Sequence, residues 1–105
     1  MAKYLLVYHG GGVPETEEAR QAEMAAWGQW FGSLGQAIAD PGNPVGQSRT
    51  ISGGNVSQGG GANPATGYSV ITADSIDAAV NMAKGCPIIK SGGSIEVAET
   101  FEVQM

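Results

Sequence analysis

Cysteine, histidine and positive charge are all scarce in this sequence. Its 105 residues hold one cysteine, Cys86, one histidine, His9, and five lysines and arginines against ten acids. A lone cysteine excludes an intramolecular disulfide and fits a reducing compartment, so a cytoplasmic location is expected. One histidine and one cysteine, far apart in the chain, supply no ligand cluster, and neither a metal nor a cofactor is expected. The bases Lys3, Arg20, Arg49, Lys84 and Lys90 are scattered through a chain of net charge −5. That pattern does not serve a nucleic-acid phosphate backbone or an anionic membrane surface, and neither is expected as a partner. Long apolar runs are missing too: no segment approaches the roughly 20 residues of a spanning helix. The run in residues 1–9 is too short for a signal peptide and no small-residue cleavage site follows it, so none is expected. Charged residues make up only 14% of the chain and hydrophobic ones 42%, the balance of a globular chain, and its length fits one domain over 1–105 with a small core.

What is present is organised around residues 3–9, KYLLVYH, read as a strand that stops at Gly10-Gly11-Gly12. A half-buried strand alternates apolar and polar residues, but here both Tyr4/Leu6/Tyr8 and Leu5/Val7 are apolar. Both faces should therefore be covered, one by the chain's own helices and the other by a second subunit. Pro14 and the acids Glu15, Glu17 and Glu18 mark a helix start. The apolar positions Trp27, Trp30, Phe31, Leu34 and Ile38 carry that helix to about residue 38. Gly28 and Gly32 interrupt it on one face, which is explained most simply by another backbone passing close, the alternative being a bend or a frayed second half. After the turn Asp40-Pro41-Gly42-Asn43-Pro44, residues 45–52 form a weak, polar edge strand with Arg49 at its middle. Residues 53–64 form a glycine-rich connection, and 67–73 a second good strand. Asp74-Ser75-Ile76-Asp77 opens a second helix that Gly85 and Pro87 end. The last strand, 94–103, alternates cleanly.

The order β-α-β-β-α-β fits an α+β fold, the ferredoxin-like split βαβ sandwich: a four-stranded antiparallel sheet with two helices on one face. Strands 3–9 and 67–73 would be its central pair, placed here parallel and adjacent, with the last strand antiparallel beside the first. The helix-free face is left to a partner.

The opening MAKYLLVYHGGG, the middle MAAWGQWFGSLGQAIADPGNPVG and the end TGYSVITADSIDAAVNMAKGCPIIKSGGSIEVAETFEV resemble the YCII-related family, grouped with the DGPF-domain proteins. The resemblance covers essentially the whole chain. Its most specific elements are Asp74-Ser75-Ile76-Asp77-Ala78-Ala79, Cys86-Pro87 and Gly93-Ser94-Ile95-Glu96-Val97. It implies a dimeric α+β barrel in which two such sheets face each other. The Asp-Gly-Pro-Phe signature is absent, and Gly59-Gly60-Gly61-Ala62-Asn63-Pro64 stands in that region. The first-helix histidine that some relatives pair with a carboxylate has no counterpart here, so that acid/base pair does not transfer.

Candidate site residues then follow from position. His9 ends a central strand, where open α/β layers gather ligands. A carboxylate from Glu96 or Asp74 beside it would make a general acid/base pair, against the plainer reading of a solvated strand-end histidine. Trp27, Trp30, Tyr4, Tyr8, Tyr68 and Phe31 form either a pocket between sheet and first helix or simple core. Arg49 could hold a carboxylate bidentately or pair with a surface acid. Asn43 lies in a turn of the kind that carries sites. The Gly10-Gly11-Gly12 junction lacks the lysine and hydroxyl of a phosphate loop, and Cys86 reads as a buried structural thiol. Two functions stay open. One is a homodimer, joined through the helix-free sheet face, that binds a small organic metabolite or a protein partner without catalysis. The other is a small enzyme using His9 as general acid/base on an organic substrate in a barrel pocket. An enclosed cavity beside His9 would favour the enzyme.

Overall fold

The computed structural model describes residues 2–12 and 14–103. β1 (Ala2–His9) forms where expected, and its buried residues are the alternate ones, Tyr4, Leu6 and Tyr8. α1 (Glu17–Leu34) starts at Thr16, whose hydroxyl accepts the Ala19 N–H at 3.0 Å, with Glu17 and Glu18 in the first turn. An N-cap of this kind satisfies one of the free donors of the first turn, and the acids complement the helix dipole. The helix ends four residues before Ile38. A 3-10 turn (Gly35–Ala37) follows, and Ile38 opens the short strand β2 (Ile38–Asp40). Outside the helix's own backbone, no atom among the described residues comes within 4 Å of a Cβ built at Gly28 or Gly32, so the close approach of another backbone expected there is not made among them.

β2, not residues 45–52, is the edge strand of the main sheet. β3 (Arg49–Ser52) pairs instead with β4 (Asn55–Gln58) in a separate hairpin, and β4 occupies part of the expected glycine-rich connection. Both hairpin strands are exposed along their whole length. With this arm the radius of gyration is 15.1 Å, where a compact chain of this length would have about 13 Å.

β5 (Ala65–Ala73) and β6 (Ser94–Glu99) complete the sheet in the order β2-β5-β1-β6. Every pairing is antiparallel, including β1 with β5 (Ala2 opposite Ala73, Tyr8 opposite Gly67), which corrects the parallel central pair. The physical reason is the connection: β2 reaches β5 by a hairpin-like return, which reverses direction, and the strands that run the same way, β1 with β2 and β5 with β6, are not neighbours. β6 stops at Glu99, and Phe101 and Val103 beyond it are exposed. α2 (Ile76–Ala83) is capped by Ser75, whose hydroxyl accepts the Ala78 N–H at 3.1 Å, and a one-turn helix α3 (Pro87–Lys90) follows Cys86. The core is a single cluster of Tyr4, Leu6, Tyr8, Ile71 and Ala73 from the sheet, Trp30 from α1, Ala79 and Ala83 from α2, and Cys86 and Ile88 after it. This is the α+β, four-stranded antiparallel architecture, with the helices packed on one face. No helix among the described residues is long and apolar enough to cross a membrane.

Candidate functional site

The register divides the sheet into two chemically different faces. On the helix side, β1 presents Tyr8 beside Gly67 of β5 and Ile95 of β6. Gly67 leaves room there: a Cβ would stand 3.3 Å from both the Tyr8 ring and the Asn43 carbonyl. Two residues along, Ser69 is fully buried. Tyr8 donates its hydroxyl hydrogen to Ser69 Oγ at 2.7 Å, and Ser69 donates onward to the carbonyl of Pro41 at 2.6 Å. A buried hydroxyl is tolerated in an apolar layer when it is paired in this way.

Above this pair lies an open cleft of about 680 Å³. Tyr8 and Ser69 form its floor, and Met24, Trp27, Gly28 and Phe31 of α1 form one wall. The segment Pro41 to Pro44 closes the opposite side, with Gly10 to Gly12 and Ile88 at one end. The wall is aromatic. Trp27 stands edge-on to Tyr8 with centroids 5.2 Å apart, and Phe31 follows at 5.8 Å from Trp27. Polar groups are few; besides Tyr8 and Ser69 they include Glu23, Asn43 and Thr66. Glu23 Oε1 accepts a hydrogen bond from Ser91 at 3.1 Å. Burial pushes the Tyr8 phenol up to about 12, the Ser69 hydrogen bond opposing that rise in part and nearby Cys86 adding to it. Burial likewise raises the Cys86 thiol to about 11, against a backbone hydrogen bond at Ile88 that lowers it.

His9 belongs to the other face. It follows Val7 and Leu5 on the helix-free side, opposite Ser94, and does not line the cleft. Its Nε2 is 3.7 Å from Glu96 Oε1, so the expected His9–Glu96 approach is made, with Glu96 largely exposed. Its Nδ1 lies 3.0 Å from the Asn63 carbonyl and 3.2 Å from that of Pro64. Carbonyls only accept, so Nδ1 carries the hydrogen in these contacts. The His9–Asp74 alternative fails on topology: because β5 runs antiparallel to β1, Ala65 stands opposite His9 and Asp74 follows Ala73 at the far end of the sheet.

The remaining candidates separate. Trp27 and Asn43 line the cleft, and the Asn43 carbonyl accepts the Tyr68 N–H at 3.2 Å. Tyr68 borders the cleft but sits opposite Val7, in the register row of the helix-free face. Trp30 is core, its indole N–H donating to the Met82 carbonyl at 2.9 Å. Arg49 is on the exposed hairpin, where Nη1 donates to the carbonyl of Ser48, away from both cleft and His9. Ser69 and Glu23 were not singled out by the sequence reading. Ser69 had a signal, since in Gly67, Ser69, Ile71, Ala73 it is the one polar member of an inward row. Glu23 had none, being one acid among several on α1. No cluster of three or more potential metal ligands occurs among the described residues.

No protein-family model and no curated protein matches the chain. Among solved structures it is similar to 5-chloro-2-hydroxyhydroquinone dehydrochlorinase (TftG) from Burkholderia phenoliruptrix AC1100, in complex with 2,5-dihydroxybenzoquinone. The TM-score is 0.54 at 18% identity, over 93% of each chain. At that identity the likeness concerns the fold alone.

Proposed function

We propose that this chain is a YCII-related protein that binds a small, largely apolar organic molecule in the cleft between α1 and the sheet. The observation that carries the reading is the cleft itself. Its 680 Å³ falls within the range of small-molecule sites, and an aromatic wall with a few convergent polar groups is their usual lining. A protein of this fold is named for acting on a chlorinated hydroxyhydroquinone, a molecule of a size such a cleft accepts. A second copy of the chain covers the helix-free face, where Leu5, Val7 and Val70 lie half-buried beside one another.

A thermal-shift screen of small ring compounds tests the site, because a ligand that binds only the folded state raises the midpoint. Gly28→Leu plugs the cleft without removing a core contact. A compound that stabilises the wild type and His9→Ala, but not Gly28→Leu, is the expected result. Gains that vanish in His9→Ala and survive in Gly28→Leu would sink the reading. They would favour a second one, supported by the His9–Glu96 approach at 3.7 Å, in which His9 acts as general acid/base on the opposite face.

A further inference from the structure

The hydrogen bonds on the cleft floor have a fixed direction. The Pro41 carbonyl has no hydrogen to give, so Ser69 must be the donor in their 2.6 Å contact. The single hydroxyl hydrogen of Ser69 is thereby used, and in the 2.7 Å contact with Tyr8 it is Ser69 that accepts. Tyr8 has spent its own hydrogen in turn. What remains for a ligand is the phenol oxygen's accepting capacity, and no other donor among the described residues is directed at it. Two further titratable groups are on the lining, Glu23, which accepts as well, and Tyr68 at its border, and no lysine, arginine or histidine lines the cleft among the described residues. The side walls are the flat faces and edges of Trp27 and Phe31.

Resting on the cleft as the binding site, we propose that its ligand is a neutral, planar, hydroxyl-bearing ring compound, held by donating a hydrogen bond to Tyr8 Oη. At the floor, carboxylates and molecules that only accept hydrogen bonds are disfavoured, because Tyr8 and Ser69 have spent their hydrogens. Other side-chain donors of the lining, among them the Asn43 amide and the Tyr68 hydroxyl, lie off the floor, and Glu23 adds an acid. A phenol is neutral through the physiological range, and burial raises that of Tyr8 further, so this directionality holds there.

Three naphthalene probes of one shape separate the possibilities: 2-naphthol donates, 2-methoxynaphthalene only accepts, and 2-naphthoate is an anion. Calorimetric titration at pH 7 should find 2-naphthol the tightest. Tyr8→Phe should weaken it by about three- to ten-fold, the value of one hydrogen bond, and leave 2-methoxynaphthalene within about two-fold. Ser69→Ala frees the Tyr8 hydrogen, so it should narrow the gap by improving 2-methoxynaphthalene. Equal binding of all three probes with no effect of Tyr8→Phe overturns the inference while leaving the cleft as the site. A preference for 2-naphthoate overturns it too. Binding of no probe, or binding unchanged in Gly28→Leu, overturns the cleft itself as the binding site.

Discussion

Ser69 is the only polar residue fully buried among the described residues, and its position accounts for the behaviour of its neighbour. The Tyr8 phenol, raised to about 12 chiefly by burial, is an acid whose neutral form the fold favours. Taking an unfolded value of about 10, its contribution is fully present below pH 10 and is lost as pH rises from 10 towards 12. Wild type should therefore lose about 1 kcal/mol more stability than Tyr8→Phe between pH 9 and 11, a difference read from urea midpoints at the two pH values. Equal losses would show that Tyr8 titrates as an ordinary tyrosine. At this scale the sequence was legible where a residue's row decided its fate. Tyr8 fell inward because Tyr4 and Leu6 did, and Glu96 fell beside His9 because the last strand lay next to the first. Asp74 was misplaced because strand direction is not written in a strand's own residues. It depends on the connection, and one reversed strand moves its last residue the length of the sheet.

The elements show a similar split between local chemistry and tertiary choice. Caps are local, and Ser75 could be read directly. The end of α1 was not, since Ile38 continues the helical spacing of Trp27, Trp30, Phe31 and Leu34 while the backbone has already passed through a 3-10 turn into β2. Hairpin β3–β4 was partly hidden because Asn55–Gln58 is polar and bounded by glycines, so composition reads as linker. Two glycines make opposite predictions. Gly32 is exposed in the last turn of α1 with open space where a Cβ would go, so Gly32→Ala should stabilise by up to about 1 kcal/mol in urea denaturation. Gly42 has a φ of +73°, and a Cβ there would run into the Tyr68 carbonyl. The turn is also held by the Gly42 N–H donating to Asp40 Oδ1 at 2.8 Å. Gly42→Ala should destabilise by at least about 2 kcal/mol, through both the left-handed backbone and the clash. A neutral Gly42→Ala would mean that the segment closing the cleft is soft enough to move away.

For the whole molecule, the two apolar rows of β1 remain the feature that the fold uses only once. The inward row, Tyr4, Leu6 and Tyr8, is buried, whereas Leu5 and Val7 are only half-buried on a face that no helix among the described residues covers. Leu5 lies between Val70 on β5 and Ala98 on β6, an apolar row across the middle of that face. In a monomer Leu5→Glu would be a surface substitution, worth within about 0.5 kcal/mol. In a dimer joined through this face the same carboxylate would be buried without a partner, which costs far more. The expected result is a wild-type mass in solution of twice the chain's 10.7 kDa, with Leu5→Glu shifted to the monomer and still folded by circular dichroism. Because the cleft opens on the opposite side of the sheet, ligand binding should survive that dissociation. Loss of binding in a folded Leu5→Glu monomer would instead mean that the second copy helps shape the cleft. A wild type that is monomeric at high protein concentration would leave the outward row of β1 as exposed apolar surface, and the second copy would have to be abandoned.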